Sequence, residues 1–391
     1  MTWRQLPPVG TPVRYTFEKS ISDKAEFHVP GFYCDYYQSG TAALAKAISM
    51  SIAAQKEPTK RDVLLPGYGC PDLVAAVIYA GANPVIIDLT SEKYSYNLAH
   101  VKACAQKAVA IVCPALLGVS MPIGEIKAVL PRHVKIIEDD AQWFPEATTV
   151  YSRQSNLANI GNYQLPDECS YSDFIVASFG RGKPVNLMGG GMLLSRTSQD
   201  ISNINVPVST PLSFRVKSTV FNALMQPFLY GTLTRMPGLN IGTTAYHRLN
   251  SIERIEDFKR SLVTPAIVNY LKSPLATATS YSNVGPCAWS NQAKRLLRLP
   301  ILVDDIKSRD LLIANCINQG ITATAMYKRA LYDIPGIASI SERPMPTPVS
   351  DRLAETLVTL PTHSGVKEEH KAIMHRILMQ FEDKLTEKVS Q

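Results

Sequence analysis

The chain has little of what marks a secreted, metal-binding or membrane-spanning protein. Its seven cysteines, Cys34, Cys70, Cys104, Cys113, Cys169, Cys287 and Cys316, are odd in number and widely spaced. None belongs to a Cys-x-x-Cys pair, which argues against both a disulfide framework and a structural zinc site, so no metal is expected. The opening residues, MTWRQLPPVGTPVRY, lack the apolar core of a signal peptide. A reducing cytoplasm is the expected setting. No basic stripe interleaved with aromatics is present, so nucleic-acid binding is not expected despite a net charge of +7. That mild charge suits plain solubility or attraction for phosphorylated ligands. The most hydrophobic long stretch, 216–233, contains Lys217, Asn222, Gln226 and Pro227 and is a poor transmembrane candidate. Packing, as in a dimer interface, is its expected use, with contact at a membrane surface as the alternative. There is no internal repeat and no low-complexity tract.

What is present is a regular alternation. With 46% hydrophobic residues the chain can bury a full core, and 391 residues suggest two or three domains. Residues 41–55 are Ala-rich and favour helix. Short apolar strands are expected at 63–66, 84–89, 108–117, 134–139, 173–179 and 190–195. Helices are expected between them at 72–82, 98–107 and 123–130. All-apolar strands separated by helices imply a mostly parallel sheet covered on both faces, with ligands in the loops beyond the strand ends. The pattern weakens over 196–250. Beyond it lie a helical segment near 252–271, a strand at 298–305, a helix at 310–318, a turn at Gly320 and a closing helix. In that last helix Ile373, Met374, Ile377, Leu378, Phe381 and Leu385 share one face. The expected division is a large domain over 1–250 and a smaller α+β domain over 251–391.

Three segments carry chemistry. In SFGRGKPVNLMGGG (178–191), Lys183 follows a buried strand. It is not a nucleotide-triphosphate loop, because Ala177 stands where the first Gly belongs and Pro184 where Ser or Thr belongs. A partly desolvated Lys at a strand end is a usable amine nucleophile, although a lone Lys near glycines is more often a solvated charge. In IIEDDAQ (136–142), Glu138, Asp139 and Asp140 end an apolar strand. They suit a helix cap, a metal, or an acid that holds a pyridine nitrogen protonated. In QSGTAAL (38–44), Ser, Gly and Thr precede a helix, which is either an ordinary cap or a phosphate cradle.

Together these segments resemble the DegT/DnrJ/EryC1/StrS family of PLP-dependent aminotransferases. SGTAAL, VLLPGYGCPDLVAAVIYAGANPVIIDL (63–89), IIEDDAQ, SFGRGKPVNLMGGG, RLPILVDD, the GI at 320–321 and LPTH at 360–363 carry the likeness in order. The resemblance implies an α/β fold of the aspartate-aminotransferase type, a PLP-dependent transferase of type I. It implies a homodimer with sites at the interface. Lys183 would form the Schiff base and shuttle the proton. Asp139 would pair with the pyridinium nitrogen, and Gln142 would lie against the ring. Ser178, with the backbone at Gly40, Thr41 and Ala42, would hold the phosphate. Cys70 stands where many members put an aromatic over the ring, and Tyr68 is a possible substitute. The Asn-x-Arg segment that reaches the neighbouring subunit has no clean counterpart beyond Asn240 and Arg260. The implied reaction moves an amino group from a donor such as glutamate to a keto acceptor, in this family commonly a nucleotide-linked keto sugar. The alternatives are a dehydratase-type PLP reaction, which in the family replaces the Lys with His, and a non-catalytic regulatory protein.

Overall fold

The computed structural model describes residues 3–10, 12–13, 25–27, 29, 31–57, 59–144, 150–152, 171–236, 244–274 and 276–386. The first part of the chain supplies β1 (Ala25–Phe27), β2 (Tyr33–Tyr37), α1 (Gly40–Ala53), β3 (Asp62–Pro66), α2 (Asp72–Tyr79) and β4 (Asn83–Ile87). There follow α3 (Leu98–Cys104), β5 (Ala108–Pro114), α4 (Ile123–Val129), β6 (Lys135–Asp139), β7 (Val150–Ser152), β8 (Phe174–Ser178) and β9 (Gly191–Ser195). Seven of these strands form one sheet in the order β2-β9-β8-β6-β5-β3-β4. Pairings from β4 through β8 are parallel, whereas β9 runs antiparallel to both β8 and β2. The expected parallel sheet is therefore present with one reversed strand.

The strands are apolar on both sides because both faces are covered. In β3, Val63 and Leu65 pack with the α1 and α2 residues Ala43, Ala47, Val74 and Val77. The intervening Leu64 turns to the opposite face, where it joins Ile111, Ile136 and residues from the C-terminal part of the chain. This two-residue alternation is what an extended backbone imposes. The C-terminal part contains β10 (Arg298–Leu302) and β11 (Leu357–Pro361), paired antiparallel, with α8 (Ile306–Asn318), α9 (Pro348–Thr356) and α10 (Glu368–Met379). Asp305 caps α8 through its carboxylate and the Ser308 N–H (2.7 Å), so this helix begins earlier than its apolar pattern suggests. The closing helix ends at Met379, so Phe381 reaches the core from the turn beyond it rather than from the helix itself.

The weakly patterned region contains two helices, α5 (Pro211–Leu224) and α6 (Pro227–Leu233), followed by α7 (Asp257–Lys272). Thr210 caps α5 by accepting from the Ser213 N–H, and Pro211 sits in its first turn. Phe214, Ser218, Tyr230 and Gly231 are buried. Leu212, Val216, Val220, Phe228 and Leu229 are exposed on the single chain.

Candidate active site

Strand ends and one helix start converge on a cleft at one edge of the sheet. It is lined by Gly40 and Thr41 at the start of α1, Cys70 and Asp72 before and in α2, and Asp139, Gln142, Ser178 and Lys183 at the ends of β6 and β8. The parallel strands all end on this side of the sheet, where such folds hold ligands. Of the cofactor-holding residues that the resemblance implies, Ala42 alone does not line the cleft. It is fully buried, and its N–H donates to Ser39 Oγ (3.1 Å) as part of the helix cap.

The start of α1 is held very close to the sheet. A Cβ on Gly40 would lie 2.7 Å from Ser178 Cβ, and one on Gly191 would lie 2.3 Å from the Ser39 carbonyl oxygen. Glycine at both positions brings the first turn of a helix, with its backbone N–H groups ahead of the intrahelical ladder, beside the Ser178 hydroxyl. That combination is the chemistry of an anion cradle.

Lys183 lies in a loop that closes on one residue. Phe179 donates its N–H to the Gly190 carbonyl (2.8 Å) and accepts from the N–H groups of Leu187 (2.8 Å) and Gly189 (3.1 Å). Phe179 itself is fully buried, so the loop is anchored in the core while Lys183 remains half-buried at the cleft.

Asp139 enters from the end of β6 and accepts from the Ala141 N–H (3.1 Å). Burial raises its carboxyl above the ordinary carboxylate value, and the nearby Lys183 ammonium partly offsets that rise. A buried acid of this kind gains from a cationic partner in the cleft. Gln142 is fixed at both ends: its Oε1 accepts from the Leu117 N–H (3.1 Å), and its Nε2 donates to Tyr327 Oη (3.2 Å). Leu117 adopts φ 60°, an unusual conformation for a non-glycine residue next to the site. The Cys70 thiol is pushed up to about 11, chiefly by burial and then by Asp72, so it is not a thiolate nucleophile at neutral pH.

Tyr68 cannot stand in for the aromatic that Cys70 replaces. It is fully buried outside the cleft lining, and its hydroxyl accepts from the Tyr327 N–H (3.1 Å) while facing the carbonyls of Ala325 and Tyr327. Asn240 lies outside the described residues. Arg260 lines a separate small pocket with Asp35 and Arg254. Two residues at the site escaped the sequence reading. Asp72, whose Oδ2 accepts from Thr41 Oγ1 (3.3 Å), reads in sequence as an ordinary helix-starting acid. Tyr327 carries no local signal at all. A second cleft beyond Pro184 has Arg295 in its lining but no lysine–carboxylate pair. Among the described residues no group of acids, cysteines and histidines is arranged to hold a metal.

Residues 16–378 match the DegT/DnrJ/EryC1/StrS aminotransferase family. The chain belongs to that family. It is a family of PLP-dependent aminotransferases, and the expected α/β fold of this enzyme class is the one seen here. Solved structures share the fold at low identity. A DegT/DnrJ/EryC1/StrS aminotransferase from Brucella abortus matches at 17% identity with a TM-score of 0.60, over 90% of this chain and 86% of that one. The sugar aminotransferase CalS13 from Micromonospora echinospora matches at 15% with a TM-score of 0.61, over 96% and 99%. A candidate sugar aminotransferase of Streptococcus pneumoniae in its PLP form matches at 15% with a TM-score of 0.62, over 97% and 99%. No curated protein sequence matches.

Proposed function

We propose that this member of the aminotransferase family binds pyridoxal 5'-phosphate in the cleft and carries an amino group from an amino acid donor, glutamate being the first to test, to a keto acceptor. The observation that carries the reading is the meeting of Lys183 and Asp139 in one pocket, beside the start of a helix held against Ser178. The residues present fit the cofactor. The close approach of Gly40 to Ser178 sets the first turn of α1 beside the Ser178 hydroxyl as an anion cradle, and the buried Asp139 carboxyl, raised by burial, would gain from a pyridinium in the cleft.

Bound there, PLP supplies a ring that withdraws electrons from the substrate carbon. The protein does the rest. The Gly40 and Thr41 backbone amides and Ser178 Oγ hold the phosphate, with the Ala42 amide sharing its Ser39 contact. Asp139 keeps the ring nitrogen protonated. Gln142, braced by Leu117 and Tyr327, orients the ring. Lys183 would be the covalent anchor, and its amine would carry the proton at the substrate carbon. Cys70, in the cleft lining, would border the ring without stacking on it as an aromatic would. The presence of Lys183, which the family's dehydratases replace with His, supports transamination over dehydration.

The acceptor we favour is a nucleotide-linked keto sugar, in keeping with the family and with the sugar aminotransferases of the same fold. We take the working unit to be a cytoplasmic homodimer, and divide each chain into a PLP-binding large domain, 1–250, and a smaller domain, 251–391. The test is an absorption spectrum with added PLP, comparing wild type with Lys183→Ala before and after glutamate. A visible band that needs Lys183 and bleaches with glutamate supports the reading. A band that no amino donor bleaches would favour another PLP reaction, and no Lys183-dependent band would refute the assignment.

A further inference from the structure

The cleft beyond Pro184 has no part in the proposed chemistry. Lys183 lines the candidate active cleft, whereas Pro184, Val185 and Asn186, next in the chain, line the second one, and the two linings share no residue. The second lining also takes in the last turn of α7, residues 295–297 and residues 362–364.

Within it, the surroundings of Arg295 leave its charge uncompensated. The side chain is only 4% exposed, yet among the described residues it forms no ion pair. Its Nη2 donates to the carbonyls of Tyr270 (2.8 Å), Ser273 (2.9 Å) and Pro274 (3.5 Å), which closes the C-terminal end of α7. That role uses one terminal nitrogen. The other, Nη1, is buried with no hydrogen-bond partner. The guanidinium carbon lies 3.8 Å from the centre of the Tyr270 ring, a stack that fixes its plane but brings no counter-ion. A buried charge is costly unless an opposite charge and hydrogen bonds compensate it. The carbonyls at the end of a helix offset only part of that cost.

No other lining residue cancels the charge. The lining contains no Asp or Glu. His363 is neutral at pH 7, because burial lowers its pKa, its Nδ1 accepts from the Gly365 N–H (3.1 Å) and its Nε2 donates to the Pro7 carbonyl (2.9 Å). Arg295 is therefore the one charged side chain among the described lining residues. Around it, Asn269 and Ser364 are exposed and polar, whereas Val185, Ala266 and Leu296 are buried and apolar. A fixed guanidinium fork beside such a wall suits a planar carboxylate carrying a small hydrocarbon body. A phosphate dianion suits it less, because there is one cation and the last turn of α7 presents the negative end of its dipole.

We propose that this second cleft binds a small organic carboxylate, with the anion at Arg295 and the apolar body against Val185, Ala266 and Leu296. The test is calorimetric titration of the full-length protein with benzoate, benzamide and inorganic phosphate. Running it with and without saturating PLP makes the outcome independent of the cofactor assignment. Benzoate should bind at one site per chain in both states, at least about tenfold tighter than benzamide or phosphate, because only the carboxylate makes a charge-assisted pair with the fork. Arg295→Gln should weaken benzoate at least about tenfold. Arg295 also caps α7, so exposed Ser364 supplies a second pair of variants that spares the fold. Ser364→Asp should weaken benzoate and Ser364→Lys strengthen it, each about threefold and less at high salt. Lys183→Ala should leave benzoate affinity unchanged. The proposal is overturned if benzoate does not bind, or if benzamide or phosphate binds as tightly. It is overturned equally if Arg295→Gln, or opposite charges at Ser364, leave the affinity unchanged. Loss of binding in Lys183→Ala would also overturn it, by putting the anion in the candidate active cleft.

Discussion

Two adjacent aspartates at the end of β6 have opposite uses. Asp139 lines the cleft, whereas Asp140 is buried outside it, with neither carboxylate oxygen hydrogen-bonded. Burial raises the Asp140 carboxyl well above 3.8, reinforced by Glu138 and Asp139. The folded state then holds a proton that the unfolded chain releases, so stability falls as pH rises from the unfolded value toward the raised folded one. Asp140→Asn should therefore stabilise the protein by about 1–3 kcal/mol at pH 7, a gain that vanishes below about pH 3, as read from denaturant titrations. Asp139→Asn should likewise stabilise the cofactor-free protein at neutral pH, because its carboxyl is also raised, but should weaken PLP binding by about thirtyfold or more. Equal effects of the two changes on PLP affinity would count against the role given to Asp139. Tyr327→Phe removes the acceptor for Gln142 Nε2 and leaves a buried amide unpaired, a loss of about 1–3 kcal/mol. It should also shift the visible band if Gln142 orients the ring. Lys183 and Asp139 were legible in sequence because each sits in a short string whose residue order is itself informative. Tyr327 was not, because it meets Gln142 only through the packing of the C-terminal part on the sheet, 185 residues away in the chain.

At the scale of elements, the cradle depends on how closely α1 approaches β8 and β9. Gly40→Ala would drive a methyl group against Ser178 Cβ at 2.7 Å, next to where the phosphate is proposed to sit. We expect PLP affinity, measured by equilibrium titration of the visible band, to drop at least about tenfold with a stability loss of about 1 kcal/mol. Gly191→Ala meets the backbone at Ser39 instead, which cannot rotate away, so it should lower stability by about 1–3 kcal/mol and cofactor affinity together. The alternation of strand and helix from β3 to β9 was readable because buried parallel strands are apolar on both sides and are bounded by turns. The helices α5 and α6 were not, because their exposed and buried faces are both apolar, which erases the contrast that helical periodicity relies on. The edge strand β2 was also missed. Its sequence, YCDYY, sets Asp35 among aromatics and reads as neither a buried strand nor a helix.

For the whole molecule, the cleft draws on parts of the chain that are far apart in sequence. Its lining runs from Gly40 to Lys183, and the brace on Gln142 comes from Tyr327 in the C-terminal part. A ligand that contacts all of these at once binds the folded chain and not the unfolded one. Mass action then links cofactor affinity to global stability: at a hundredfold excess over Kd the gain is about 2.7 kcal/mol. Thermal unfolding should therefore move upward with PLP concentration in wild type. The dependence should flatten in Asp139→Asn and Gly40→Ala in proportion to their lost affinity. Lys183→Ala should retain part of the rise, because the proposed phosphate and ring-nitrogen contacts remain when the covalent anchor is gone. A melt that ignores PLP in wild type would separate the fold from its cofactor. A melt that responds equally in all four proteins would place the binding site elsewhere than in this cleft.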